Sequence, residues 1–166
     1  VAEGNVRSLA IAGESTGLDV LRAEVADEIK SRYTIENVKD DPMFRAYRDF
    51  FWSVGIDPTK TRPASEALVR RLLSGGKLPK INTAVDAYNM ASAISSVPIA
   101  AFDADKITEN LIMRFATDGE SFLGIGMKEA ITLKPNQVVI DDNGHIIAVY
   151  PYRDSDDTKV TAGTKN

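Results

Sequence analysis

The chain has 166 residues, of which 43% are hydrophobic and 27% charged, a length and balance typical of one globular domain with a buried core. It contains no cysteine and one histidine, which excludes disulfides, thiolate metal sites, a cysteine nucleophile and multi-histidine metal centres. With no secretory leader and no apolar run near ~18 residues, we expect a cytoplasmic protein with a single domain over 1–166 and no cofactor.

The formal net charge of −4 is unevenly distributed along the chain. Segment 43–80 contains eight basic and three acidic residues, so it carries +5 and the remainder carries −9. Such a segment either contacts phosphates locally or consists of solvated helix faces. Its candidate nucleic-acid-binding residues are Arg62, Arg70, Arg71, Lys77 and Lys80. Because Arg70 and Arg71 are adjacent on a predicted helix, at most one of them is expected to join Lys77 and Lys80.

The first part of the chain predicts mainly helices. Alternating apolar residues predict a strand at 6–12, and apolar residues at helical spacing predict helices at 18–32, 42–54, 63–74 and 83–96. Asp41 and Pro42 predict the start of the second helix, with Asp41 as its N-cap. Thr83 and Asp86 have the spacing of a capping box at the start of the fourth helix.

After Pro98 the pattern changes to short strands. We predict strands at 99–102, 111–116, 121–125, 137–140 and 146–150, with a hairpin turn at Asp142-Asn143-Gly144. Helices followed by strands indicate the α+β class. We expect the polar tail after Arg153 to be frayed, and His145, beside the hairpin turn, to be exposed.

A polar stripe on the fourth helix is the candidate ligand site. Asn82, Asp86 and Asn89 stand at positions i, i+4 and i+7, so they share one helix face. Amide and carboxylate groups of this kind can bind an amino acid or a ribose. They can equally bind backbone groups and serve the fold alone.

Two charged residues beyond this helix are further candidates for substrate binding. Arg114 lies among apolar residues of a predicted strand, so we expect it to have a carboxylate partner, either Asp86 or Asp103. Asp103 flanks a turn and either caps it or contributes to a ligand site. Arg62 and Glu66 are one helical turn apart and can pair with each other.

Three consecutive aromatic residues, Phe50, Phe51 and Trp52, lie near the end of the second helix. A helix cannot bury all three on one apolar stripe. We expect most of this group to pack in the core and one ring to lie at an interface or a pocket rim.

Ordered motifs between Arg62 and Asp105 carry a family resemblance. They read R-P-A-S-E-A-L from Arg62, L-P-K-I-N-T-A-V-D-A-Y-N from Leu78 and P-I-A-A-F-D-A-D from Pro98. Their order and spacing resemble the editing-domain module of phenylalanyl-tRNA synthetase β subunits. The resemblance continues through 112–116, 119–120, 138–141 and 161–166, and the aromatic run at 50–52 is similar to that of free-standing members.

The resemblance implies a three-layer α+β fold with β-sandwich-like sheets flanked by helices. It also implies tRNA or aminoacyl-tRNA as a partner, because in the synthetase this module hydrolyses tyrosine wrongly attached to the phenylalanine tRNA. Two departures concern that chemistry. The histidine that precedes Ala-Phe-Asp in the synthetase is Ala100 here, and the chain ends at Asn166, before the position of the pocket glutamate.

Two functions therefore stay open at the level of the sequence. One is a module that binds tRNA or aminoacyl-tRNA and hydrolyses mischarged aminoacyl-tRNA in trans. The other is a non-catalytic domain that binds RNA or an amino acid. A complete tRNA ligase is not expected from 166 residues, and neither DNA nor a membrane is expected as a partner.

Overall fold

The computed structural model of the protein describes residues 1–108, 110–150 and 152–166. These residues form two compact units. The helix unit comprises 14–81 and 85–100, and the strand unit comprises 1–13, 82–84 and 101–166. Along the described residues, no helix is both long and apolar enough to cross a membrane. The single domain over 1–166 stays a prediction.

The predicted helices are all present. They are α1 (Thr16–Arg32), α2 (Pro42–Ser53), α3 (Ala64–Leu73) and α4 (Thr83–Ser95). Asp41 caps α2 as predicted, because its side chain accepts hydrogen bonds from the backbone N–H groups of Met43 and Phe44. Gly75 has a φ of 83°, a left-handed conformation that few other residues adopt, and it follows the end of α3.

Apolar side chains from α1, α2, α3 and α4 form the core of the helix unit. Fully or almost fully buried members include Val25, Ile29, Phe44, Val69, Leu72 and Met90. Burial of one such side chain stabilises the fold by roughly 1.5–3 kcal/mol. Of the aromatic run, Phe51 is buried, Phe50 is half-buried and Trp52 is 57% exposed. The run is therefore divided between core and surface.

A buried carboxylate joins α2 to α3. Glu66 on α3 is 0% exposed. It accepts a hydrogen bond from Arg70 Nε at 2.7 Å and from Arg48 Nη1 of α2 at 3.0 Å. The predicted pairing of Glu66 with Arg62 is therefore wrong. Burying a carboxylate is costly unless it is paired, and here two guanidinium groups share it.

The strand unit contains two antiparallel sheets. Strands β1 (Ile112–Phe115), β4 (Val138–Asp142), β5 (His145–Val149) and β6 (Arg153–Asp154) form one sheet in the order β1-β4-β5-β6. Strands β2 (Ser121–Phe122) and β3 (Ile131–Thr132) form the other. Phe122, Leu133, Val139, Ile146 and Val149 are buried in its core. Helices and antiparallel sheets together confirm the α+β class.

The hairpin between β4 and β5 is confirmed. Asn143 and Gly144 both have positive φ, 52° and 87°, as the two central residues of a type I′ turn require. His145 starts β5 and is exposed, as predicted, with its Nε2 2.8 Å from the Asp157 carboxylate.

Two predicted strands are wrong. Segment 6–12 is not a strand, since Ser8 has a φ of 58° and interrupts the extended backbone; its hydrogen bonds include one from the Leu9 N–H to the Lys165 carbonyl. Segment 99–102 forms an isolated bridge between Phe102 and Lys159. The chain turns at once into a short 3-10 helix at Ala104–Lys106, which prevents a longer ladder.

The tail after Arg153 is ordered by hydrogen bonds, so the prediction of a frayed end is wrong. Arg153–Asp154 forms β6, and Ser155, Thr158 and Thr164 are buried. Thr164 Oγ1 donates to Asp103 Oδ2 at 2.8 Å. Polar residues that composition alone predicts to be solvated are thus buried in the strand unit.

One prediction of local hydrogen bonding also needs correction. The predicted capping box is replaced by other contacts: Thr83 Oγ1 accepts from the Ala12 N–H, while Asp86 Oδ1 accepts from the Ile81 N–H. In both cases the side chain reaches outside α4, which the sequence spacing cannot reveal.

Replacing Glu66 with glutamine should destabilise the helix unit markedly. Glu66→Gln leaves the guanidinium groups of Arg48 and Arg70, both mostly buried, without their shared carboxylate. We expect the free energy of unfolding to fall by about 3 kcal/mol, measured by urea denaturation at pH 7.

The matched control is Glu28→Gln. Glu28 also pairs with an arginine, Arg32, but at 3.6 Å and with both side chains exposed. That substitution should change stability by less than about 0.5 kcal/mol. Equal effects of the two substitutions would contradict the importance of the buried carboxylate.

The raised pKa of Asp154 should make the stability of the fold depend on pH. Burial raises the pKa of Asp154 from 3.8 to about 6. Between pH 3.8 and about pH 6, Asp154 keeps its proton in the folded state and loses it in the unfolded state. The free energy of unfolding therefore falls as pH rises through this range, and it stays low above pH 6. Asp154→Asn should therefore be more stable than the parent at pH 8, by up to about 3 kcal/mol, with the difference shrinking towards pH 4. A pH-independent difference between the two chains would refute this assignment.

Candidate functional site

The polar stripe predicted as a ligand site makes structural contacts. Asp86 is 3% exposed. Its Oδ2 accepts from Arg22 Nη2 at 2.6 Å, and its Oδ1 accepts from the Ile81 N–H at 2.8 Å. Asn82 is also buried, and Asn89 is half-buried. Asp86 thus ties α1 and the chain before α4 together, which occupies both of its carboxylate oxygens.

Arg114 lies on β1 and has carboxylate partners, although not the predicted Asp86 or Asp103. Its Nη2 donates to Glu120 Oε1 at 2.6 Å and its Nε donates to Asp141 Oδ2 at 3.3 Å. The Glu120 hydrogen bond is the main cause that holds the pKa of Arg114 above its ordinary value. The same contact lowers the pKa of Glu120. Arg114 is therefore a member of an ion-pair network within the strand unit.

Asp103 caps a turn, which was one of the two roles open to it. Its Oδ1 accepts from the Asp105 N–H, and its Oδ2 accepts from Thr164 Oγ1. Asp103 and Arg114 belong to the strand unit, whereas Asp86 and Asn89 belong to the helix unit. Asp86, Asp103 and Arg114 are thus held by contacts within their own unit, and the role of all these candidates in substrate binding stays a prediction.

The basic candidates give a different result, because several of them share a groove. This groove, in the helix unit, has a volume of about 580 Å³. Its lining residues are Ile35, Lys60, Arg62, Ala67, Arg70, Arg71 and Ser74. We call it the cationic groove, since four of these side chains carry positive charge.

The composition of the cationic groove differs from the predicted basic surface. Arg70 and Arg71 both line it, although adjacent helix positions predicted that only one would contribute. Lys80 is instead held by Asp19 and Glu14 at 3.2 and 3.4 Å. The hydrogen bond to Asp19 is the main cause that raises the pKa of Lys80.

Lys60 is the groove residue that the candidate set omitted. It precedes Arg62 in the loop between α2 and α3 and belongs to the basic segment 43–80. The signal that could have identified it is charge density in that loop, since Lys60 and Arg62 lie two positions apart. Its place beside Arg70 depends on how the loop packs against α3, which composition does not determine.

The electrostatics of the cationic groove favour binding of an anion. Among the described residues that line it, there is no carboxylate. Glu66 accepts hydrogen bonds from both Arg70 and Arg48, so its single negative charge compensates only one of these two positive charges. Arg62 is exposed, and no ion pair to it occurs among the described residues. Such a surface can contact phosphates, while its lining offers no general base of ordinary type.

Comparison with protein families gives a match that covers most of the chain. The model of the B3/4 domain matches residues 46–166. That range includes the cationic groove residues from Lys60 to Ser74, the whole of α4 and the strands of the strand unit.

Similar proteins include phenylalanine–tRNA ligase beta subunits. The subunit of Corynebacterium jeikeium is 34% identical over 112 residues, which is 68% of this chain and 13% of that protein. The subunit of Malacoplasma penetrans is 27% identical over 70% of this chain and 15% of that protein. The chain thus spans a small part of the curated relatives that it matches.

A solved structure of an N-terminal fragment of the phenylalanyl-tRNA synthetase beta subunit from Pyrococcus horikoshii is also similar. It is 27% identical, with a TM-score of 0.36, over 39% of this chain and 24% of that one. The motifs from Arg62 to Asp105 had indicated a resemblance to the synthetase β-subunit module. The match over 46–166 shows that the chain belongs to the B3/4 domain family.

Proposed function

We propose that this B3/4 domain binds tRNA or aminoacyl-tRNA and that the cationic groove contacts the phosphate backbone. The observation that carries the proposal is the groove itself, with Lys60, Arg62, Arg70 and Arg71 around one opening. The relatives named as phenylalanine–tRNA ligase beta subunits support tRNA as the nucleic acid.

Local charge matters more than total charge for such a contact. The whole chain carries −4, so an RNA would be repelled at long range by much of its surface. Segment 43–80 carries +5, and part of that charge is concentrated in the cationic groove. Because phosphate contacts displace condensed counterions, binding through this groove should weaken steeply with added salt.

The geometry supports binding more strongly than hydrolysis. The Asp86 carboxylate, a candidate for positioning water, already accepts hydrogen bonds from Arg22 and the Ile81 N–H. Ala100, at the position where the synthetase module has a histidine, provides no group that can move a proton. Hydrolysis in trans is therefore the alternative, and cytoplasmic location is proposed on the same grounds as tRNA binding.

Neutralising the loop side of the cationic groove should weaken tRNA binding. For Lys60→Gln with Arg62→Gln, we expect the Kd for a phenylalanine-acceptor tRNA transcript to rise about tenfold at 100 mM salt. The slope of log Kd against log salt concentration should fall by roughly 1.5, because about two phosphate contacts are lost. Fluorescence anisotropy with labelled tRNA measures both quantities.

A control with the same change in charge is Lys30→Gln with Lys39→Gln. Both lysines are exposed and lie outside the groove lining. The control should change the Kd by less than about twofold and leave the salt slope nearly unchanged. Equal weakening by the two double variants, or binding that does not respond to salt, would count against the groove.

A deacylation assay decides between binding and hydrolysis. The substrates are a panel of mischarged tRNAs, which includes phenylalanine tRNA that carries tyrosine. We expect the protein to leave the half-life of the aminoacyl ester at its uncatalysed value for every member of this panel. The reason is that the candidate carboxylate is already engaged and Ala100 is inert. Acceleration of about tenfold or more for any member of the panel would establish the alternative, an aminoacyl-tRNA deacylase.

A further inference from the structure

Arg71 differs from the other cations of the groove in how its guanidinium is held. Its Nε donates to the Lys77 carbonyl at 2.7 Å. Arg71 is exposed, and among the described residues no hydrogen bond to its Nη1 or Nη2 occurs, so these two terminal nitrogens form a fork that is open to solvent. Arg70, in contrast, uses Nε for Glu66 and Nη1 for the Ile35 carbonyl. The fork of Arg71 is suited to bidentate contact with a phosphate.

The turn after α3 positions Arg71. The Gly76 N–H donates to the Arg71 carbonyl at 2.9 Å. A Cβ at position 76 would lie 2.8 Å from that carbonyl oxygen, which is closer than real Cβ contacts, and 3.0 Å from Arg71 Cγ, which is tighter than most of them. Glycine at 76 therefore lets the chain turn tightly and bring the Lys77 carbonyl to the Arg71 guanidinium. A side chain anchored in this way loses less conformational entropy when it binds a ligand.

The size and lining of the cationic groove limit what it can hold. Its volume of about 580 Å³ is in the range of pockets that take small ligands, so a short flexible segment can enter it, whereas a rigid duplex can only lie across its opening. Ile35 and Ala67 provide apolar surface beside the cations, and Ser74 provides a hydroxyl. A nucleotide has a group that matches each part of this lining, since it has an apolar base face, a sugar and a phosphate.

We propose that the cationic groove is a binding site for a single-stranded RNA segment, with one phosphate on the Arg71 fork. Arg62 contacts a neighbouring phosphate, and the sugar or base lies against Ile35 and Ala67. The lining contains no aromatic ring for stacking, so little base preference is expected. This inference rests on the proposed function and names the part of the RNA that the site takes.

The test uses Arg71→Ala and Arg71→Lys, with Arg45→Ala as the control. Arg45 is exposed, belongs to the same unit and lies outside the groove lining. The probes are a fluorescent 12-nucleotide single-stranded RNA, the duplex that it forms with its complement, and AMP as a competitor. Thermal unfolding of each variant checks that the helix unit is intact.

For the single strand, we expect Arg71→Ala to raise the Kd about tenfold and to lower the salt slope by roughly 0.7. Arg71→Lys keeps the charge but loses the fork, so it should raise the Kd about threefold to fivefold. Arg45→Ala should change it by less than about twofold. The duplex should bind at least about fivefold more weakly than the single strand, and AMP should compete only at concentrations far above the Kd for RNA.

Three results would overturn the inference. These are equal affinity for duplex and single strand, single-strand binding that is insensitive to both Arg71 variants, and a lower Kd for AMP than for the RNA, which would make a free nucleotide the ligand. If whole tRNA still binds in a salt-dependent way while Arg71 variants have no effect, the single-strand site fails and the proposed function stands. If whole tRNA does not bind the parent chain, the proposed function fails as well.

Discussion

The buried carboxylate of Glu66 is the contact on which the helix unit and its cationic groove depend. It accepts hydrogen bonds from Arg48 of α2 and Arg70 of α3, so it fixes the packing of these two helices. It also turns the Arg70 guanidinium towards the Ile35 carbonyl, at the wall of the groove. Because one carboxylate serves two arginines, the region keeps a positive charge that is available to an anionic partner.

Three of the charged residues that the sequence offers for ligand binding are used by the fold. Asp86, Asp103 and Arg114 all face partners within their own unit, and each satisfies a backbone group or an opposite charge. The terminal nitrogens of Arg71 have no such partner among the described residues. The proposed RNA contact therefore uses other residues than those that the editing-module motifs first suggest.

Local patterns were sufficient for the helices and the main hairpin. Asp41-Pro42 marked the start of α2, and Asn143-Gly144 marked the β4–β5 turn, because capping and turn geometry depend on neighbouring residues. Local sequence patterns did not predict the features that long-range contacts determine. The partners of Arg114, the burial of Thr164 and the shared lining by Arg70 and Arg71 all depend on segments distant in sequence or on loop packing.

In the proposed complex, RNA phosphates bind the arginines of the cationic groove. Nuclear magnetic resonance of arginine Nε–Hε groups during a titration with tRNA tests this most directly, because each arginine gives its own signal. We expect the signals of Arg62, Arg70 and Arg71 to shift together and to saturate at one equivalent of tRNA, while the signals of Arg45 and Arg114 stay in place. Shifts at Arg45 or Arg114 with none at the groove arginines would contradict this expectation.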